Sequence, residues 1–583
     1  IINNYYNFII DGVISGSYGF TKTQNGNLKL RATNTYTGDT TISSGTITVS
    51  GLLGNGSYAG DISNAGTLAF NASSDQTISG VISGAGDLTK SGSNTLILSG
   101  SNNYTGETTI TVGTLNITNA SALGGYSLGQ GTTVSDGAML KISGGINVAE
   151  PITLNGTGVS SQGALYFLSG NNTYSGNITL GSNLTITSDA GNQTVSGTIN
   201  GAYTLGITSA ANWIQSGVIG GASEPTELTL NASGSFQNTA AINIAGPISI
   251  TGTSINLDEN ITSSATGDIL LQATVDANPS FDLAANKSIR KTGGSESTLT
   301  IKSPTRLTTN TGSTISSVDG TSLNVVLWSD YDGDNGDGGL SIYSGITTYG
   351  GDIWMGGSDT VNGTSTWNGL TVGDGGSEGG NGYNWNAMDL GSPTISTSNG
   401  NILIRAGDGY STGTDGIGMY ADVNLNTGTG SITIESDEVV QASANTEFNI
   451  TSTGEFTFKP FNNSFHSNYS GLNIQGSFSG TTFIGSDDFA EFKFNNFSNL
   501  GGLTLGKSSN TADVTLSSNV SISGPVTVWG DDVTLTGSLI ASGAITITAN
   551  QDIILNTNTI TSSASNTDII LRAKRDITTQ TND

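Results

Sequence analysis

The sequence has 583 residues, of which 84 are glycine and 8 are proline, and only 11% are charged. The 45 acidic residues outnumber the 17 basic ones and give a net charge of −28, which disfavours nucleic acid as a partner. The absence of cysteine excludes disulfides and thiolate metal sites. We find neither an apolar run of about 18 residues, which a transmembrane helix would need, nor a signal peptide at Ile1. The chain is therefore expected to be mature or a piece of a longer protein.

The first segment of the chain is written twice, 68 positions apart. Residues 12–49 read GVISGSYGFTKTQNGNLKLRATNTYTGDTTISSGTITV, and residues 80–117 read GVISGAGDLTKSGSNTLILSGSNNYTGETTITVGTLNI. Tyr36 and Tyr104, for example, keep the same offset. A fixed period without gaps indicates a structural unit that stacks on its neighbours, and such solenoids bind along extended surfaces.

Short alternating segments continue along the whole chain. Examples are TITV at 46–49, NITLGSNLTIT at 177–187 and AITITA at 544–549. A period of two with β-branched residues predicts strands, and the Gly, Asn, Asp and Ser residues between them predict turns. The strands are too short and too numerous for one flat sheet. We therefore predict an all-β solenoid with about 20 residues per turn, which forms an elongated rod.

The repeats change along the chain, and we divide it into four regions. Residues 1–220 carry the opening repeat, and residues 221–444 carry a second repeat with Gly- and Asp-rich loops. Residues 445–500 are rich in phenylalanine, and residues 501–583 return to the second repeat. The segment GPISITGTSINL, for instance, comes back 278 positions later as GPVTVWGDDVTL.

The phenylalanine-rich region contains 11 of the 17 phenylalanines. Stacked phenylalanines at matching positions would fill a wider interior, and we predict that they point inward. The alternative is a platform on which carbohydrate rings stack. The residues in question include Phe448, Phe456, Phe458, Phe461, Phe465, Phe492, Phe494 and Phe497.

The opening repeat resembles the autotransporter-associated β-strand repeat of bacterial passenger domains. The resemblance is carried by GDLTKSG (86–92), LILSGSNNYTG (96–106) and TTITVGTL (108–115). The second repeat is similar to those of filamentous-haemagglutinin-like surface proteins, as in GGDIWMGG and GNILIRAGDG. Both resemblances imply a right-handed parallel β-helix on an exported, cell-surface protein. Neither transfers a catalytic residue to this chain.

One acidic loop has the composition of a cation site. The sequence DYDGDNGDGG places Asp330, Asp332, Asp334 and Asp337 within eight residues. Carboxylates at alternate positions of a glycine-containing loop can surround calcium, which takes six to eight oxygen ligands. The loop is not an EF-hand, because Asn335 stands where glycine is required. A solvated turn is the competing interpretation. The nearby GDGGSEGGNG (373–382) lacks the nonapeptide of calcium-binding β-rolls and predicts a flexible loop.

Catalytic chemistry is not predicted. Adjacent residues of a strand point to opposite faces, so an Asp–Asp pair cannot present both carboxylates to one bond. The single histidine, His466, lies in a polar segment without a nucleophile motif. Scattered T-x-T triplets do not form the regular lattice of an ice-binding face. The acidic groups considered were Asp487 with Asp488, Asp531 with Asp532, and Glu435 with Asp437 and Glu438.

The sequence therefore predicts a non-enzymatic, extracellular stalk or fibre segment of a bacterial cell-surface adhesin. Its partner would be an unidentified cell-surface or matrix ligand, for which a glycan is one candidate. A self-assembling surface filament with homotypic contacts is the first alternative, and a polysaccharide-degrading β-helix enzyme is the second. No cofactor is predicted apart from the calcium considered above.

Overall fold

The structure is a computed structural model, and it describes most of the chain. The described residues are 1–125, 131–277, 279–332, 338–358, 360, 363–377, 387–407, 416–437, 439–441, 448–462, 472–474, 492–494, 499–516, 519–556, 559–565 and 567–579. They divide into two compact units, Ile1–Gly252 and Thr253–Asp583. Within the described residues no α-helix is present, and no helix is long and apolar enough to span a membrane. Short 3₁₀ turns occur at Gly54–Gly56 and Val159–Ser161.

Each unit is a parallel β-solenoid, as predicted. A turn of the chain contributes up to three short strands, and each strand pairs in parallel with the equivalent strand one turn later. We name the three sides of each unit A, B and C in the order in which the chain visits them.

Side A of the first unit holds two runs of paired strands. The first run is Ile2–Asn3, Phe20–Thr23, Thr40–Ile42, Ile62–Asn64 and Ile82–Ser83. The second run is Asn147–Val148, Asn172–Tyr174, Gln193–Val195, Trp213–Gln215 and Phe236–Asn238.

Sides B and C of the first unit share the long strand Ile178–Ser188, which turns the corner between them. Side B also has Phe8–Ile10, Asn27–Leu30, Thr46–Val49, Thr67–Phe70, Asp87–Lys90, Thr108–Ile110, Thr132–Val134, Ile152–Gly156, Ile199–Asn200 and Ile242–Ile244. Side C also has Ser57–Tyr58, Gln76–Ile78, Thr95–Leu98, Gly113–Ile117, Ala138–Ser143, Leu165–Ser169, Thr204–Ser209, Glu227–Ala232 and Ile248–Gly252.

The second unit repeats this plan. Side A has Ile255–Leu257, Phe281–Leu283, Leu307–Thr309, Leu340–Ile342, Met388–Leu390, Ile417–Met419 and Val439–Gln441, followed by Leu472–Ile474, Val514–Leu516, Val533–Leu535, Ile553–Leu555 and Ile577–Thr579. Side B has Ile261–Ser263, Ser288–Lys291, Thr314–Ser317, Gly345–Thr347, Thr394–Ser396, Val423–Gly428, Phe448–Ser452 and Phe492–Phe494, followed by Val520–Ile522, Leu539–Ala541 and Ile560–Ser562.

Side C of the second unit is one uninterrupted ladder of described strands. It has Ile269–Ala273, Ser297–Lys302, Leu323–Trp328, Ile353–Gly356, Ile402–Ala406, Ile432–Ser436, Glu455–Lys459, Gly502–Leu505, Val526–Gly530, Ile545–Ala549 and Ile569–Ala573. An antiparallel hairpin, Thr364–Trp367 with Leu370–Gly373, is added outside the ladders.

Alternating side chains fill the interior of each unit. In side B of the first unit, Leu28, Ile47 and Leu68 occupy one register position and are fully buried. Each buries a large apolar side chain against the turns above and below, which is the main stabilising contribution to the fold. Of the phenylalanine-rich region, Phe448, Phe456 and Phe458 are buried, as predicted. Phe461, in contrast, is half-buried and its ring lies 5.3 Å from the Arg405 guanidinium. Phe465 and Phe497 lie outside the described residues, as do the side chains of Phe492 and Phe494.

Asp and Asn side chains join successive turns at the corners. The backbone N–H of Asp61 donates to Asp39 Oδ1 (2.9 Å), and that of Val81 donates to Asp61 Oδ1 (2.7 Å). In the second unit the N–H of Asp532 and of Asp552 each donate to the aspartate one turn earlier. The acidic composition is therefore partly structural, because a carboxylate satisfies a backbone donor that the strand ladder leaves open.

The length of a turn is not constant, in contrast to the 20 residues expected. Ile62 pairs with Ile82, 20 positions later, whereas Ile261 pairs with Ile289, 28 positions later. Ile353 pairs with its equivalent only 49 positions later. The additional residues of that turn lie at the corner between sides C and A of the second unit, which is where the structure departs most from a plain solenoid.

Candidate functional site

The repeated lysines of the opening segment lie inside the solenoid. Lys22 Nζ donates to the carbonyl oxygens of Gln24 (2.6 Å) and of Ser44 in the next turn (3.0 Å). Lys90, 68 positions later, donates to the carbonyls of Gly92 and of Val112 (3.2 Å). Burial lowers the pKa of Lys90 to about 8. Each lysine therefore joins two turns of the solenoid through backbone carbonyl groups.

The glycines of the repeat make room for these ammonium groups. Gly45 and Gly113 have φ of +73° and +76°, and a Cβ at either position would lie within 2.8 Å of the lysine nitrogen. Only glycine combines this backbone conformation with that space. Tyr36 and Tyr104 are also buried, and their hydroxyls bond Thr40 and Thr108 at 2.8 Å and 2.6 Å. The repeated lysines, glycines and tyrosines therefore serve to pack the interior of the solenoid, as expected of a structural scaffold.

The two copies of the repeat lie on different sides of the first unit. In the first copy Thr40–Ile42 is on side A and Thr46–Val49 is on side B. In the second copy the equivalent strands Thr108–Ile110 and Gly113–Ile117 are on sides B and C. Sixty-eight residues thus make three turns and one further side. The motif therefore forms the same strand–turn–strand module at the corner between sides A and B and at the corner between sides B and C.

The predicted calcium loop is described only in part. Asp330 is buried and has φ of +47°, and Asp332 is half-buried. Asp334 and Asp337 lie outside the described residues. Within the part of the chain that the structure describes, no three acidic or histidine side chains converge on one point. The calcium site stays a prediction, which a calorimetric titration of the protein with calcium would test.

A β-hairpin extends from the corner between sides C and A, directly after the strand Ile353–Gly356. The chain leaves side C at Gly357 and returns at Gly375, and these two residues exchange backbone hydrogen bonds of 3.3 Å and 3.2 Å. The neck needs glycine, because a Cβ at Gly373 would lie 1.9 Å from Gly357 O. Residues 373–377, expected to belong to a flexible loop, thus form this ordered neck and end in a bridge between Ser377 and Ala406. Residues 378–382 lie outside the described residues.

The hairpin is fixed at its tip as well. Asn368 and Gly369 have φ of +47° and +84°, which is the conformation of a two-residue type I′ turn. The Asn368 side-chain amide donates to Asp352, whose other oxygen accepts the backbone N–H of Asn401 (2.6 Å). The hairpin therefore lies across the outer face of side C and is held at both ends.

The hairpin covers an apolar cluster on the outside of the solenoid. Trp328 and Trp354 meet edge to face with ring centroids 6.3 Å apart. Trp328 Nε1 donates to Ser358 Oγ (2.8 Å), and Lys302 lies over the Trp328 ring at 4.2 Å. The indole N–H of Trp354 has no hydrogen-bond partner within the described residues. The complete cluster is Val326, Trp328, Trp354, Leu370, Val372 and Leu403, with Tyr331 and Trp367 at its edge.

The acidic residues considered for catalysis are engaged in ion pairs and hydrogen bonds. Glu435 pairs with Arg405 (2.8 Å) and Lys459 (2.9 Å) on the neighbouring strands of side C. Burial favours a raised pKa for Glu435, but the two cations outweigh it and hold the pKa below its usual value. Asp437 accepts the backbone and side-chain N–H groups of Asn462. Asp531 accepts from a glutamine, and Asp532 belongs to the corner ladder. Asp487, Asp488, Glu438 and His466 lie outside the described residues.

Comparisons with known proteins agree with the geometry of the opening repeat. The family model of the passenger-associated-transport-repeat matches residues 20–49 and 88–117, which contain the two buried lysines. The adhesin BmaC autotransporter of Brucella suis biovar 1 (strain 1330) is 32% identical over 176 residues, or 26% of this chain. The matched part spans 5% of that adhesin's length. No solved structure gives a significant match. The chain thus carries two autotransporter-type repeats and resembles an autotransporter adhesin.

Proposed function

We propose that the chain is a stalk segment of a bacterial surface adhesin, located outside the cell and acting by binding rather than by catalysis. The observation that supports it most is that both matched repeats are built into a continuous parallel solenoid, with their motif residues in its interior. Such a scaffold spaces binding elements along its length and leaves its outer side chains available for contact. The resemblance to an adhesin autotransporter supports the same conclusion.

The binding elements of this stalk would lie in the second unit. Its corner between sides C and A carries the hairpin, and its outer faces carry tryptophan, tyrosine, arginine and aspartate where the first repeat has mainly threonine and asparagine. Aromatic and arginine side chains contribute most of the energy at protein binding surfaces.

The proposal is tested in the source bacterium. Antibody raised against the purified chain should label intact cells, and external protease should remove the label. A strain from which the coding region is deleted should adhere less to host cells or matrix, and the purified chain should inhibit adherence of the parent strain. Label that appears only after the cells are broken would contradict the proposed location.

A further inference from the structure

A buried ion pair crosses three turns on the outer face of side A in the second unit. Arg306 lies just before the strand Leu307–Thr309, and its Nε donates to Ser341 Oγ (2.6 Å) in the next turn. Its Nη2 reaches Asp389 (2.5 Å), one turn further. The side chains of Arg306 and Asp389 are 17% and 7% exposed. The guanidinium and carboxylate are therefore fixed in position, so binding a ligand would cost little side-chain entropy.

Two tyrosines lie beside this ion pair, at the positions that directly follow the strands of side A. Tyr343, Gly391 and Tyr420 follow the strands of three successive turns, and Gly391 and Tyr420 each donate a 3.0 Å backbone bond to the preceding turn. A Cβ at Gly391 would lie 1.8 Å from the Tyr343 ring, so that ring lies over the glycine. Tyr420 is 51% exposed and Tyr343 is half-buried. Burial and the nearby Asp389 carboxylate raise the pKa of both hydroxyls.

The arrangement combines flat apolar surface with fixed polar groups. Tyrosine offers a rigid ring with a hydroxyl at its edge and loses little entropy when it binds. The backbones of the two tyrosines are two strands apart, about 10 Å, and the Tyr343 ring lies over Gly391 on the strand between them. Carboxylate and guanidinium groups accept from and donate to sugar hydroxyls, while ring faces contact the C–H surface of a pyranose.

Other ligand classes fit this surface less well. A peptide cannot add as a strand, because Met388–Leu390 is paired in parallel on both edges. A polyanion is disfavoured by the net charge of −28 and by the carboxylate of Asp389. We propose that Tyr343, Tyr420, Arg306 and Asp389 form a binding site for a neutral saccharide, an inference that rests on the proposed adhesive function.

The test uses the purified full chain and a printed panel of neutral oligosaccharides built from glucose, galactose, mannose and N-acetylhexosamines. Affinity for the strongest binder is then measured by calorimetry. We expect Tyr420→Ala to weaken binding at least about tenfold, the effect of removing a central aromatic contact. Tyr203→Ala removes a tyrosine of similar exposure (42%) from the first unit and should leave affinity unchanged.

Gly391→Ala gives a second test, because the new methyl group displaces the Tyr343 ring while every polar group is retained. It should weaken binding as much as Tyr343→Ala does, and hydrogen exchange of the flanking strands verifies that both variants remain folded. Failure of the whole panel to bind, or equal affinity of parent and Tyr420→Ala, would overturn the proposal. Stronger binding of sialylated or sulfated versions would overturn the assignment to neutral sugars. Surface labelling and adherence of whole cells can succeed in each of these cases, so failure here is separate from failure of the proposed function.

Discussion

The two units use the same three-sided turn but differ in what they place outside it. In the first unit the repeat residues that distinguish the sequence, such as Lys90 and Tyr104, point into the interior. In the second unit the distinguishing residues, such as Trp328 and Asp389, lie on the outer face and are covered or paired there. A solenoid interior requires the same packing at every turn, whereas its outer face can change without disturbing the ladders. Regular sequence therefore marks scaffold here, and interruptions mark candidate binding surface.

The largest effect is expected from removing the support of the hairpin. Trp328→Ala deletes the edge-to-face contact with Trp354, the hydrogen bond to Ser358 and the contact with Lys302. Truncation of a buried tryptophan costs about 3–5 kcal/mol. Hydrogen exchange of Thr364–Gly373 should accelerate strongly, while exchange in the first unit stays unchanged. Trp529→Ala, which truncates a half-buried tryptophan on the outer face of a later turn, is the control. Retained protection of the hairpin would show that it does not depend on this cluster.

The second effect is a pH dependence of the first unit at Glu150. Glu150 is buried beside Tyr104 and Tyr174, and burial raises its pKa from 4.5 to about 7. The folded state then binds more protons than the unfolded state between these values, so stability falls as pH rises from 4.5 to 7. The loss amounts to about 3 kcal/mol above pH 7. Urea unfolding followed by hydrogen exchange of Ile152–Gly156 at pH 5 and pH 8 measures it. Glu150→Gln should abolish the difference, and a difference that persists would assign it to another group.

The third effect concerns the buried lysine. Lys90→Met leaves the carbonyls of Gly92 and Val112 without their donor, at a cost of about 1–3 kcal/mol. Hydrogen exchange should increase in Gly113–Ile117, the strand that directly follows Val112. Lys141→Met, which changes a lysine on the outer face of side C, is the control and should cost less than about 1 kcal/mol. Equal losses of stability in the two variants would mean that the interior position of Lys90 adds nothing to its contribution.

The smallest effect separates the two tryptophans of the cluster. Trp354→Phe removes an indole N–H that has no partner within the described residues, so stability should be unchanged or slightly higher. Trp328→Phe loses the bond to Ser358 and should be less stable by about 1 kcal/mol. Thermal unfolding of the two variants side by side makes the comparison, and the reverse order would contradict the assignment of donors.

The fold followed from the sequence because strand alternation and turn residues are local signals. The segments at 46–49 and 544–549 are strands in the structure, and the 177–187 segment is a single strand that turns a corner. The division into four sequence regions stays a prediction beside the two structural units. The rotation of the repeat by one side was not predictable, because a period of 68 does not reveal how many residues complete a turn.

The candidate surfaces were predicted less well. The hairpin had a local signal, since Asn368–Gly369 between TSTW and LTV is typical of a type I′ turn, but we predicted only loops there. Arg306, Ser341 and Asp389 are separated by 35 and 48 positions and meet only because the turns stack. Such contacts depend on the length of each turn, which varies along this chain and is not encoded in any short motif.

The central claim is that the first unit is a scaffold and the second unit carries the binding surface. It is tested most directly by deleting one turn from each unit. Removal of residues 62–81 joins Asp61 to Ile82, which pairs in the same register as Ile62. Removal of residues 388–416 likewise replaces Met388 by Ile417 and takes away Asp389. With both proteins displayed at equal levels on the cell surface, adherence should survive the first deletion and fall at least about tenfold with the second. Equal adherence, or a larger loss with the first deletion, would contradict a scaffold in the first unit and a binding surface in the second.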